Sequence, residues 1–245
     1  MTTEYIVIKI GGVASKQLTP EILAKLSEWQ QSGHKIIIVH GGGFAINQLM
    51  EEHDIPIHKV NGLRVTSQSD MSLIKEALVD IVGKNLAGQL TNAGLPAYQV
   101  IDELSDLVHA DFLDQEIYGY VGEVKSITNQ TLVALLSQGK LPLIPSLGYS
   151  DQGDLLNINA DYLARALAIS LGAKKLILMT DVKGVLENGQ VLNHLNIVDV
   201  QKKIDSGVIT GGMIPKIQSA VQTVESGVEQ VIIGDNLTDG TIIKE

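Results

Sequence analysis

At 245 residues the chain can bury a large core unaided, and 44% hydrophobic against 19% charged residues excludes a disordered tail or linker protein. A net charge of −10 repels nucleic acid and anionic membrane, so neither is expected as a partner and a small molecule is favoured. With no cysteine there is no disulfide, Cys-ligated zinc, Fe–S cluster or thiol nucleophile, and no apolar run reaches the roughly 18 residues that cross a bilayer; a cytoplasmic location is expected.

Tyr5 to Ile10 is rich in β-branched residues and stops at Gly11-Gly12, which predicts a buried strand ending at a glycine turn. Thr19-Pro20-Glu21 supplies an N-cap, a proline at the first helical position and an early acid, predicting a helix to Gly33. Lys35 to Val39 is a second apolar strand, followed by His40-Gly41-Gly42-Gly43 and helical spacing from Phe44 to Met50. Continuous apolar strands joined by helices indicate an α/β protein whose parallel sheet is covered on both faces.

Ser67 and Asp70 have capping-box spacing, and Met71, Ile74, Leu78, Ile81, Leu86 and Leu90 predict the longest helix, ending by Gly94. That stripe is longer than an exposed helix needs, which points to burial either against the same helix of a second subunit, in an isologous homodimer, or wholly inside one subunit. Between about Val108 and Ile127 short alternating pieces predict a meander or hairpin laid over the sheet as a lid. Beyond it the patterns give a helix from Asn129 to Gly139, a strand from Leu141 to Pro145, a helix from Asn159 to Leu171 capped by Gly172, and a strand from Lys174 to Thr180. A hairpin turn at Glu187-Asn188-Gly189-Gln190, a helix from Gly212 to Gly227 and a strand from Gln230 to Ile233 complete the chain. No repeat or linker divides it, and any border between two lobes falls near Gly172.

The two glycine turns follow adjacent strands, where backbone N–H groups can approach an anion. Neither matches a P-loop or a dinucleotide fingerprint. Lys9 interrupts an apolar strand, Lys216 sits near a helix N-terminus where a cation opposes the dipole, and Asp161 lies early in the helix after Asn159. An anionic ligand would account for both lysines. Arg64, one of two arginines, has the fork that grips a carboxylate. Each also has a plain structural reading: a rim lysine, an N-terminal acid, a surface salt bridge. The six histidines lack zinc-ligand spacing, and there is no G-x-S-x-G elbow.

Together, Ile8-Lys9-Ile10-Gly11-Gly12, Val39-His40-Gly41-Gly42-Gly43, Asn61-Gly62-Leu63-Arg64-Val65-Thr66, Asn157-Ile158-Asn159-Ala160-Asp161, Thr180 to Leu186 and Gly212-Met213-Ile214-Pro215-Lys216 resemble the amino-acid kinase family, in order and spacing from residue 8 to 216. The N-G-L-R-V-T and N-x-N-A-D segments resemble the members that phosphorylate N-acetylglutamate. The resemblance implies a three-layer αβα sandwich with a mainly parallel central sheet, two lobes sharing that sheet. Residues 1–172 would bind the acyl amino acid and dimerise, and residues 173–245 would bind ATP. It implies ATP-dependent phosphorylation of the γ-carboxylate of N-acetyl-L-glutamate, in arginine biosynthesis.

By that resemblance Lys9 and Lys216 would flank the transferring phosphoryl group and Asp161 would hold both lysines. Gly42, Gly43, Arg64, Asn157 and Asn159 would bind the acid. Gly11 and Gly12, with Asp181, Val182, Gly184, Val185, Leu186, Ile209 and Thr210, would bind or border the nucleotide. Mg²⁺ would travel on the ATP phosphates, with no protein metal site. Arginine-inhibited members carry an additional N-terminal helix, and Met1 to Glu4 is too short for one, so a homodimer insensitive to arginine is expected. The alternatives are kinases of an aminoadipate derivative, aspartate, carbamate or UMP, or a nucleotide-binding regulator without catalysis.

Overall fold

Uninterrupted Ile, Val and Leu runs need cover on both faces, and they form the middle of one eight-stranded sheet. In the computed structural model, which describes residues 4–245, the strands in chain order are β1 (Tyr5–Ile10), β2 (Lys35–His40), β3 (Lys59–Val60), β4 (Leu63–Arg64), β5 (Ala97–Gln99), β6 (Val108–Phe112), β7 (Val121–Ile127), β8 (Leu141–Pro145), β9 (Leu147–Tyr149), β10 (Leu155–Ile158), β11 (Lys175–Met179), β12 (Leu186–Glu187), β13 (Gln190–Val191), β14 (His194–Asn196), β15 (Gln230–Gly234) and β16 (Thr241–Lys244). The expectation of no helix ahead of β1 falls on residues 1–3, which lie outside the described residues.

The sheet runs β14-β16-β15-β11-β1-β2-β8-β5 and is parallel except where β15 meets β16. All strands from beyond Gly172 lie at one end and all strands from before it at the other, joined where β1 pairs with β11. Helices cover both faces. The Ala160–Leu171 helix packs on β1, β2 and β11, and the Met213–Glu225 helix on β15 and β16. Among the described residues no helix is long and apolar enough to cross a membrane.

Two expectations change. The 108–127 hairpin exists as β6 and β7, but it does not lie over the sheet as a lid. Its open edges pair with β9 and β10 to close a four-stranded barrel, β10-β7-β6-β9. Closure leaves no edge strand unpaired. The second change concerns the 71–92 helix, whose middle, Glu76–Gly83, is π-helical. The wider turn advances the inward face by four residues at a time, so Leu78, Val82, Leu86 and Leu90 are buried while Ile81 turns outward, 40% exposed. The expected apolar stripe is therefore covered within the subunit, and only Ile81 is left to a neighbour.

Candidate active site

Parallel pairing brings the ends of β1, β2 and β11 side by side. Ile10 is in register with His40, and the Gly41 N–H donates to the Ile10 carbonyl at 3.2 Å, so the two glycine turns are adjacent. The Ala160–Leu171 helix starts beside them because the Asn159 side chain accepts from the N–H groups of Asp161, at 2.9 Å, and Tyr162, at 3.2 Å. That cap sets Asp161 in the first turn, where Oδ1 stands 3.0 Å from Lys9 Nζ. The contact is one of charge rather than an aligned hydrogen bond, since Oδ1 is buried and accepts none. Lys9 bends back over the turn that follows it: a Cβ on Gly11 would come within 2.5 Å of Nζ. With side-chain exposures of 16% and 27%, the pair is shielded yet reachable.

Lys216 arrives from the first turn of the Met213–Glu225 helix, and its Nζ donates to Thr180 Oγ1 at 3.4 Å. Asp161 and Lys216 line one cavity of about 160 Å³ with Asn159, Tyr162 and Gly212. The structure thus joins all three charged residues at one edge of the sheet, with a difference from expectation. Among the described residues Asp161 pairs with Lys9 alone, and Lys216 is held by Thr180. A second cavity, of about 250 Å³, is lined by Gly11, Thr180, Asp181 and Asp235 among others, and the bond from Lys216 to Thr180 links the first cavity to it. Gly12, at φ +56°, makes room for the Asp181 carboxylate, whose Oδ1 would be 2.2 Å from an added Cβ.

The expected nucleotide border divides. Asp181, Val182, Leu186 and Thr210 are exposed. Gly184, Val185 and Ile209 are buried, and the Val185 N–H is already donated to Thr241 Oγ1 at 2.8 Å. These three shape the lobe from beneath and do not offer side chains to a ligand.

On the other side, β3 and β4 form a hairpin that carries Arg64. Its guanidinium donates to Met50 Sδ at 3.2 Å and to Asn47 Oδ1, both on the Gly43–Glu52 helix. Arg64 makes no ion pair among the described residues, and burial pushes it below its ordinary value, with Asp70 opposing. A half-buried cation with Asp70 near but no ion pair among the described residues favours an arriving carboxylate. Asn157 donates through Nδ2 to Thr66 Oγ1 at 3.3 Å. Asn159 spends its carbonyl on the helix cap, which leaves only its amide NH₂ for a ligand. Gly42 is pressed by Leu78 and Val82, whereas a Cβ on Gly43 would meet open space.

Asn47, Thr66 and Thr180 are site neighbours to which sequence reasoning gave no role. The two threonines stand at the ends of motif segments with nothing to mark their chemistry, and one helical asparagine carries no pattern. His40 closes β2 beside the second glycine turn. It is 1% exposed, burial pushes it down to about 4 against a weak contact with the Gly41 carbonyl, and its Nε2 has no partner. No group of three metal-ligating side chains occurs among the described residues.

Residues 4–235 match the amino acid kinase family. The chain is 56% identical over 240 residues to the acetylglutamate kinase of Streptococcus mutans, covering 98% of each. It superposes on the crystal structure of smu.665 from Streptococcus mutans UA159 with a TM-score of 0.91 at 56% identity, covering 98% of both chains. Carbamate kinase from Giardia lamblia bound to AMP-PNP, at 15% identity, shares the fold with a TM-score of 0.70 and 99% coverage of both chains.

Proposed function

The chain belongs to the amino acid kinase family, and we propose that it transfers the γ-phosphoryl group of ATP to the side-chain carboxylate of N-acetyl-L-glutamate, forming N-acetyl-L-glutamyl 5-phosphate in arginine biosynthesis. The observation that carries this reading is the meeting of Lys9, Asp161 and Lys216 at adjoining strand ends. The similarity to the Streptococcus mutans acetylglutamate kinase supports the choice of acid. A carboxylate of ordinary pKa near 4.3 is ionised at neutral pH, so its oxygen needs no base to attack phosphorus. The new bond is carboxyl oxygen to γ-phosphorus, and the bond that breaks releases ADP. The difficulty is charge, because two anions must be held in contact.

Lys9 and Lys216 answer that difficulty by facing the equatorial oxygens of the moving phosphoryl group. Asp161 holds Lys9 in position, and Thr180 holds Lys216. Gly11, Gly12 and Gly42 contribute N–H groups, and Gly43 leaves space for the acid. Arg64 grips the α-carboxylate, with Asn157 and the Asn159 amide on the remaining polar groups. Asp181, Val182, Leu186 and Thr210 border the nucleotide, over Gly184, Val185 and Ile209. Two carboxylates, Asp181 and Asp235, line the cavity at Gly11. They would hold Mg²⁺ brought in with ATP, which would supply neutralisation of charge on the leaving group. In this reading residues 1–172 form the acid-binding lobe and residues 173–245 the ATP-binding lobe. A homodimer across the outward face of the 71–92 helix, centred on Ile81, and a cytoplasmic location complete it.

The test offers N-acetyl-L-glutamate, aspartate, carbamate, UMP and an aminoadipate derivative in turn and measures ADP release, with hydroxamate trapping of acyl phosphates. N-acetyl-L-glutamate is expected to give the highest kcat/KM by at least about a hundredfold, the discrimination available when buried polar groups go unpaired with the wrong acceptor. A better acceptor among the others, or ATP binding without turnover, overturns the proposal.

A further inference from the structure

Thr66 is fully buried, and every polar atom it has is engaged. Its N–H donates to the Tyr118 carbonyl at 2.9 Å, and its carbonyl accepts from the Tyr120 N–H at 2.7 Å. Its hydroxyl donates to the Arg64 carbonyl at 3.2 Å and accepts from Asn157 Nδ2 at 3.3 Å. One hydroxyl therefore joins the hairpin that carries Arg64 to the barrel strand that carries Asn157, residues 93 positions apart in sequence (157 − 64). The backbone bonds alone would fasten the hairpin to the barrel. The hydroxyl adds direction. With its proton on the Arg64 carbonyl, only its lone pairs face Asn157, so the amide turns NH₂ toward Thr66 and Oδ1 away from it. Asn157 then presents a carbonyl acceptor, suited to the N–H of an acylated amine.

The geometry points to Thr66 as a positioning residue for the acceptor acid, orienting Arg64 and Asn157 together and having no part in ATP binding. This rests on the acceptor-site reading above. Thr66→Val keeps the shape and both backbone bonds while deleting the hydroxyl, and Thr66→Ser keeps the hydroxyl. Steady-state kinetics of Thr66→Val should show KM for N-acetyl-L-glutamate raised about tenfold, as expected when two polar groups lose a buried partner. KM for ATP and kcat should stay within about twofold of the parent, and Thr66→Ser should recover most of the loss. An unchanged KM in Thr66→Val, or equal losses in Ser and Val, overturns the proposal. Should Thr66→Val fail to fold, Thr66→Ala against Thr66→Ser isolates the hydroxyl where the methyl is already gone. A higher KM in Ala supports the role, and equal values overturn it. Arg64→Ala separates the two readings. If it raises KM for the acid while Thr66→Val does not, only the role of Thr66 fails; if neither changes KM, the acceptor-site reading fails with it.

Discussion

The turn after β1 and the turn after β2 are neighbours and look alike as sequence, each a polar side chain followed at once or one residue later by glycines. In the structure they are opposites. Lys9 leaves its strand, curls over Gly11 and puts its ammonium against Asp161, and Gly12 lies under the Asp181 carboxylate. His40 stays inside, uncharged at neutral pH, and the first two glycines after it face hydrocarbon: a Cβ on Gly41 would meet Ala160, and one on Gly42 would meet Leu78 and Val82. Glycine at the first turn makes room for charge, and at the second it lets a helix approach. The lesson is that a glycine run after a parallel strand announces close approach, and the neighbouring elements decide what approaches.

The largest effect should come from removing the charge at the first turn. Lys9→Ala, or Lys216→Ala across the cavity from Asp161, is expected to lower kcat by roughly 100- to 1000-fold with little change in KM for either substrate, as befits a group that acts on the transition state. A variant with near-normal turnover would remove that lysine from the mechanism. At the second turn the matching change is one of packing. Gly42 has φ −157°, so Gly42→Ala asks for no left-handed backbone, and its added methyl meets the packed helix. A methyl 2.8 Å from Leu78 Cδ2 makes Leu78 or the 71–92 helix give way, at about 1–3 kcal/mol. Thermal melts would show it, and an unchanged Tm would mean that the helix yields freely.

His40 gives the second turn a pH dependence. Unfolded, it titrates near 6.5; folded, burial pushes it down to about 4. Between those values the unfolded chain binds the extra proton, so the contribution is intact above about pH 6.5 and is lost as pH falls toward 4. From pH 7 to pH 5 the loss is about 2 kcal/mol. Urea melts of the parent and of His40→Gln at both pH values isolate it, because carboxylate titration is common to both. Equal slopes would show that the imidazole is not the source.

What the sequence disclosed follows the same division. The long apolar runs of β1, β2, β8 and β11 are legible because a strand buried on both faces has no alternative use for such residues. β9 and β10 are short, and β9 carries Gly148, packed against Ile158 and Val108; nothing in either foretells that together they close a barrel. Helical spacing identified the 71–92 helix but set Ile81 inward, because a π segment changes the period and leaves no mark on composition. In the candidate site, charged residues at improbable places, such as Lys9 and Lys216, were visible. The hydroxyls and amides that hold them, Thr180, Thr66 and Asn47, are ordinary residues whose importance comes from distant partners.

The smallest expected effect draws the finest line through the second turn. Gly43 follows Gly42 directly, yet a Cβ there meets nothing within 4 Å, and its backbone already belongs to the Gly43–Glu52 helix. Gly43→Ala should therefore leave the Tm unchanged or slightly raised, since alanine favours helix over glycine by up to about 1 kcal/mol. The open space is the same space that the acid is proposed to fill, so a methyl group should raise KM for N-acetyl-L-glutamate a few-fold and leave KM for ATP alone. Two alanines one position apart would then separate stability from binding: Gly42→Ala melts early, and Gly43→Ala melts normally but binds the acid poorly. If both lose stability alike, the turn is packed throughout and the contrast between its glycines is wrong. If Gly43→Ala changes neither Tm nor KM, the space beside Gly43 is not where the acid lies.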